Sequence, residues 1–216
     1  REIRQLPRLL TDWPIRHLNI LARTLDDLTP VYRLAGTLER LSVQTSPAAT
    51  VDLNALPWLT GFSGEWAQVA DTVEYAVGLN DLFLLSYRAA DLGPLARNQG
   101  LHRLRFKQRP ALRSLDGLDR FPALAELGVF GASRLIDIGA LTTAPVTLTR
   151  LELDSCGGIE DLDALAGLTS LRWLGLGNCG PVRSVAPLGD LVSLERLYAA
   201  ESTRITDGDL APLLRL

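Results

Sequence analysis

The amino-acid sequence predicts a repeat fold of the α/β class: a solenoid of about nine similar coils, each giving one short strand to a common sheet. Three observations carry the prediction. Leucine supplies 45 of the 216 residues. Apolar residues recur in lines about 22 residues apart, the signature of a repeat architecture. Within each line the apolar spacing changes from twos to threes, which reads as a strand followed by a tight return.

Taken in order, the chain opens with residues 1–14, where Leu6, Leu9, Leu10 and Trp13 make either an N-terminal cap or the remnant of a preceding coil. The lines then run Ile15-Leu18-Ile20, Leu38-Leu41-Val43, a weak Leu59-Phe62-Gly64, Leu79-Leu82-Leu84, Leu101-Leu104-Phe106 and Leu124-Leu127-Val129. Three regular lines follow: Leu148-Leu151-Leu153-Cys156, Leu171-Leu174-Leu176-Cys179 and Leu194-Leu197-Ala199-Ser202. Their middle residues fall at 18, 41, 62, 82, 104, 127, 151, 174 and 197. The domain is therefore set at 15–216, irregular over 44–80, regular from 101, and expected to continue past 216.

In LxxLxL the last two apolar residues are two apart, so both point to one face of a strand. A single such strand cannot bury that face, whereas stacked coils bury it against one another. The returns carry Leu135, Ile138 and Leu141, then Ile159, Leu162, Leu165 and Leu168, then Val182, Val185, Leu188 and Leu191. Spacing by three fits extended or 3-10 turns. Trp66, Val69, Ala70, Val73 and Val77 are spaced by three and four and predict a short helix. Pro181, Pro187 and Pro212 are expected in connections, where a missing N–H costs least.

The template LxxLxLxx(N/C) resembles the short leucine-rich repeat class, of the kind found in internalins and phosphatase-regulating repeat proteins. The resemblance spans 15–216. It implies a curved solenoid with a parallel sheet on its concave face, 3-10, short helical or extended segments on its convex face, and protein recognition as its task. Where that class stacks asparagines, this chain has Arg23, Ser46, Ala67, Tyr87, Arg109, Ala132, Cys156, Cys179 and Ser202, so the N-terminal coils are expected to be less regular.

The variable strand positions then project from the concave face. They include Phe83, Leu85, Phe130, Trp173 and Tyr198, large groups at solvent-facing positions. Arg103, Arg105 and Lys107 make a basic stripe on one strand; Glu126, Glu152 and Asp154 lie just beyond, with Arg150 and Arg196 further on. Gly128, Gly175 and Gly177 read as hollows between bulky neighbours. Interface hot spots favour Trp, Tyr and Arg, so a protein partner is expected on Phe83, Leu85, Arg103, Arg105, Lys107, Phe130, Arg150, Glu152, Asp154, Trp173, Arg196 and Tyr198.

Composition narrows the rest. A net charge of −3 argues against a protein built chiefly to hold nucleic acid, although Arg103, Arg105, Lys107, Arg109 and Arg113 form its best case. No run approaches the ~18 apolar residues that a membrane span needs, and no basic-then-apolar leader opens the chain. Two cysteines make no disulfide framework, so reduced thiols and a cytoplasmic location are expected. Arginine outnumbers lysine 21 to 1, a bias that suggests a GC-rich bacterial source, and the absence of methionine suggests a piece of a longer chain.

Several chemical-looking motifs dissolve in context. Gly175-Leu-Gly177-Asn-Cys-Gly180, with Glu195 beyond, matches a dinucleotide fingerprint, but Leu174 and Leu176 are repeat core positions and Pro181 follows. His17 and His102 lie coils apart and make no ligand set or nucleophile–base pair with the cysteines. Glu160, Asp161 and Asp163 read as a solvated turn. The expectation is a binding module, not an enzyme, with no cofactor and no metal. The second reading is a ligand-sensing or autoinhibitory C-terminal domain of a larger bacterial NTPase-type signalling or defence protein.

Overall fold

A computed structural model of the chain describes residues 13–216; Leu6, Leu9 and Leu10 lie outside them. Nine strands form one parallel sheet in sequence order. They are β1 (His17–Ala22), β2 (Arg40–Thr45), β3 (Gly61–Glu65), β4 (Asp81–Leu85), β5 (Arg103–Lys107), β6 (Glu126–Phe130), β7 (Arg150–Asp154), β8 (Trp173–Gly177) and β10 (Arg196–Ala200). The short β9 (Pro181–Val182) and β11 (Arg204–Ile205) pair with each other at a neighbouring turn. Pro181, expected in a plain connection, belongs to this ladder, which it joins without an N–H because the bonds there run from Arg204 N–H to the Gly180 carbonyl and from Thr206 N–H to the Val182 carbonyl.

The register follows the leucines. Leu18, Leu41, Phe62, Leu82, Leu104, Leu127, Leu151, Leu174 and Leu197 pair in one row across the sheet. From Leu41 to Leu174 every member is buried, and each such side chain contributes about 1.5–3 kcal/mol relative to exposure. Leu18 and Leu197, at the outer strands, are only partly covered. Each coil returns through a short 3-10 turn, such as Gly93–Leu95, Leu118–Arg120 or Asp163–Leu165. An aspartate two residues ahead commonly starts it: Asp52, Asp91, Asp137 and Asp161 accept from the N–H of Asn54, Gly93, Gly139 and Asp163. Asp161 is thus a turn residue, as its sequence context indicates.

Irregularity in the third coil has a packing cause. Gly64 stands where the template asks for leucine, and a Cβ there would lie 2.7 Å from the Phe62 ring and 2.9 Å from Gln68 Oε1. Gln68 is buried and donates to Thr45 Oγ1 (2.8 Å) and the Ser46 carbonyl, while accepting from Glu65 N–H (2.9 Å). With Glu65 it closes a capping box on α1 (Trp66–Val69), a single turn and so shorter than the spacing predicts.

The asparagine-ladder positions split. Tyr87 is fully buried between Trp66 and Phe106, with ring centres 4.7 and 4.8 Å apart, and its hydroxyl donates to the Asp91 carbonyl (2.8 Å). Cys156 Sγ donates to the Val129 and Asp154 carbonyls, and Cys179 Sγ to those of Leu153 and Gly177. Arg109 does not enter the ladder: Gln108 and Arg109 both take positive φ, and Pro110 fills the buried place. Ser202 is likewise exposed, and Thr203 does its work, accepting from Cys179 N–H (3.0 Å) and donating to the Leu176 carbonyl (2.6 Å).

Candidate functional site on the concave sheet

Side chains between the buried apolar rows stand on the open face of the sheet, and strand register sorts them into rows. The first reads His17, Arg40, Gly61, Asp81, Arg103, Glu126, Arg150, Trp173 and Arg196. Its charges alternate from strand to strand, and they pair. Asp81 has only 11% of its side chain exposed and accepts from three guanidiniums: Arg40 at 3.2 Å, Arg103 at 3.0 Å and Arg105 at 3.0 Å. Arg103 also donates to Glu126 at 2.8 Å. That bond, against partial desolvation and aided by the attraction of Glu126 and Asp81, raises the Arg103 pKa above its ordinary value.

The basic stripe is therefore not free. Arg103 is held by carboxylates on both neighbouring strands and Arg105 gives one N–H to the shared Asp81, while Lys107 is exposed and lies over the Phe130 ring at 5.9 Å. Arg105 stacks on Phe83 at 4.9 Å and Arg150 on Trp173 at 3.8 Å. Cation–π contacts of this kind contribute about 0.5–2 kcal/mol according to exposure. Arg150 also donates to Glu152 (3.2 Å). Of the expected partner-binding residues, Arg196, Tyr198 and Lys107 are exposed; Phe83, Leu85, Arg103, Arg105, Phe130, Arg150, Glu152, Asp154 and Trp173 are half-buried.

The glycine hollows are already filled. A Cβ on Gly175 would lie 2.6 Å from Trp173 Cζ3, on Gly128 2.9 Å from the Phe130 ring, and on Gly177 2.8 Å from Asp154 Oδ2. Each glycine lets a neighbouring side chain lie down on the sheet and leaves no gap for a partner. The groove lies instead at the other end of the face. It has a volume of about 300 Å³ and is lined by His17, Asn19, Arg40, Ser42, Gly61, Ser63, Asp81, Phe83 and Arg105. Asn19, Ser42, Gly61 and Ser63 are short residues on three adjacent strands, and the taller Phe83 and Arg105 wall them off. That run of short residues is the sequence signal for the groove.

Other sequence motifs resolve simply. Gly175 and Gly177 belong to β8, and the segment after Gly180 runs into β9 and the 3-10 turn Ala186–Asp190 rather than a helix that could hold a pyrophosphate. Cys156 and Cys179 are free and buried. Burial first, then the neighbouring thiol, pushes the Cys156 pKa up to about 12; burial pushes Cys179 up to about 11. Among the described residues no three of His, Cys, Asp and Glu converge as a metal site, and no helix is long and apolar enough to cross a membrane.

Parallel strands stacked in sequence order, inward leucines and 3-10 returns make this chain a curved leucine-rich-repeat solenoid of about nine coils. The leucine-rich repeat domain of the type III effector XopL aligns with a TM-score of 0.59 at 15% identity, over 92% of this chain and 76% of that one. An internalin (InlF) from Listeria monocytogenes aligns with a TM-score of 0.52 at 18% identity, over 97% of this chain and 72% of that one. The functional domain of InlJ from Listeria monocytogenes, which includes a cysteine ladder, aligns with a TM-score of 0.50 at 15% identity, over 94% and 57%. What they share with this chain is the fold. No protein-family model matches the chain, and no curated protein matches its sequence.

Proposed function

We propose that the chain is a recognition module, not an enzyme, and that it binds a protein partner on the concave sheet. The observation that carries this reading is the set of three stacked cation–aromatic pairs on that face, Arg105 on Phe83, Lys107 on Phe130 and Arg150 on Trp173. They hold hot-spot residue types in fixed positions before any partner arrives, which lowers the ordering cost of association. Tyr198 and Arg196 extend the cluster with exposed surface. Mixed charge suits a protein better than a polyanion, because Glu126, Glu152 and Asp154 share the face with the arginines. Two free thiols held in the core favour a reducing compartment, the cytoplasm of a bacterium in this reading.

The test compares the native chain with Trp173→Ala and with the Trp173/Tyr198 double alanine, against a partner recovered from the source cell. Each truncation is expected to cost about 2 kcal/mol of affinity, roughly thirtyfold. Full affinity in the double variant, with its circular dichroism intact, would remove the concave face from the binding site.

A further inference from the structure

We infer that the groove at the N-terminal end of the concave face is a seat for one carboxylate, an aspartate or glutamate side chain of the protein partner, gripped between Arg40 and Arg105. The inference rests on the reading of the concave face as the binding surface and adds what the partner must carry there.

The argument is one of charge and donor supply. Three guanidiniums, those of Arg40, Arg103 and Arg105, share two carboxylates here, Asp81 and Glu126. Glu126 and Asp81 between them satisfy Arg103, which leaves Arg40 and Arg105 sharing what remains of Asp81. Each spends a single N–H on it, Arg40 through Nη1 and Arg105 through Nη2, out of the five that a guanidinium carries. Arg105 Nε is buried with no hydrogen-bond partner, a costly condition for a donor; it is closed to the groove, so the donors that Arg105 offers a ligand are its remaining Nη hydrogens. Both arginines line the groove and keep 48% and 37% of their side chains exposed.

Both are also held in place. Phe83 supports the Arg105 guanidinium from one side. Arg40 lies across Gly61, whose missing side chain would stand 3.2 Å from Arg40 Cγ. A carboxylate is the planar, two-acceptor group that matches such forked donors. A phosphate polymer fits poorly: Asp81 sits at the edge of the seat and Glu126, Glu152 and Asp154 follow on the same face. The surface is positive at one point and not along a track.

The test uses the whole chain with its arginine Nε–H signals followed by NMR. It is titrated with acetyl-Ser-Gly-Glu-Gly-Ser-amide, with the same peptide carrying Gln in place of Glu, and with a twelve-residue thymidylate strand. The Glu peptide should move the Arg40 and Arg105 signals saturably and the Gln peptide should not. Arg105→Gln and Arg40→Gln, each checked for native circular dichroism, should weaken the Glu peptide about tenfold. Asp81→Asn, which removes the internal competitor for the same donors, should bind it several-fold more tightly. Val146→Ala, at an exposed position outside the sheet, should bind it unchanged. Silence of both arginines, equal response to the Glu and Gln peptides, or response to the thymidylate strand alone overturns the inference. If the Gln peptide moves the Trp173 and Tyr198 signals while the arginines stay still, the carboxylate seat falls and the concave-face reading stands.

Discussion

Leu151 and Leu197 occupy the same place in the repeat, yet the same truncation should have very different costs. Leu151 is fully buried, with Leu127 and Leu174 in register on either side. Leu197 has Leu174 on one side only and stays partly exposed. Removing three carbons from Leu151 forfeits about 2.4 kcal/mol of transfer free energy at ~0.8 per methylene. A closed cavity adds to that, bringing the sum into the ~2–5 kcal/mol seen for buried Leu→Ala changes. At Leu197 roughly half the transfer term applies, and no cavity forms because one wall is solvent, so about 1 kcal/mol is expected. Urea melts followed by far-UV circular dichroism measure both through the midpoint at constant m. In a thermal scan, Leu151→Ala should lower the melting temperature by roughly 10 °C and Leu197→Ala by a few degrees. Equal losses at the two sites would refute the view that coil stability comes from neighbours on both sides.

The two thiols should resist a disulfide exchange reagent at pH 8 until the chain unfolds, because burial holds them protonated. Their folded pKa values, about 12 and about 11, lie above the ordinary 9.0, so their contribution to stability is intact below about pH 9. It is lost as pH climbs through 11 to 12, since the unfolded chain releases those protons first; the double Cys→Ala variant should show a shallower alkaline decline, and an identical decline would contradict the burial. Gly175→Ala should push the Trp173 indole off the sheet and away from Arg150, read as loss of the ring-current shift on the Arg150 side-chain signals; an unchanged shift would mean that the ring does not lie there. Arg103→Gln should lower stability by about 1–2 kcal/mol after allowance for solvent screening, and Arg196→Gln by almost nothing, with urea midpoints as the check; the reverse order would undo the ion-pair assignment.

The fold was legible because its information is periodic and local. LxxLxL states strand, face and register at once, and nine copies of it leave one way to stack. What misled was a shift of one residue. After Phe106 the template counts Arg109 into the ladder, but a second residue of positive φ delays the inward place to Pro110. After Ala199 it counts Ser202, where Thr203 serves. The candidate site was legible as a set of positions and not as a set of states. That Arg150, Trp173 and Tyr198 face the same way follows from register. That Trp173 covers Gly175 follows from a side-chain torsion that no spacing encodes. Asp81 could have been found: it is the one carboxylate in its row between Arg40 and Arg103. Its contact with Arg40, however, spans the intervening strand and depends on Gly61 leaving the path clear.

The concave face carries its charges in a particular way, and this separates two roles that look alike in sequence. Adjacent parallel strands lie about 4.8 Å apart, so two arginines at one register position on neighbouring strands would repel at close range. Along the first row Asp81, Arg103, Glu126 and Arg150 alternate instead, and a glycine spaces Arg40 from Asp81. Such pairing tolerates many ionic groups on a rigid wall, but it also commits them: Arg103, held on both sides, has little left to offer a ligand. Recognition on this face, as proposed, would then come from what the pairing leaves over. Those groups are the spare donors of Arg40 and Arg105 at one end, and the aromatic surface of Trp173 and Tyr198 with Arg196 at the other. A partner that spans both ends needs an acidic group and an apolar group set apart by several strand spacings. The rigid sheet fixes that separation, so the distance between the two groups, more than either group alone, would decide which partners fit.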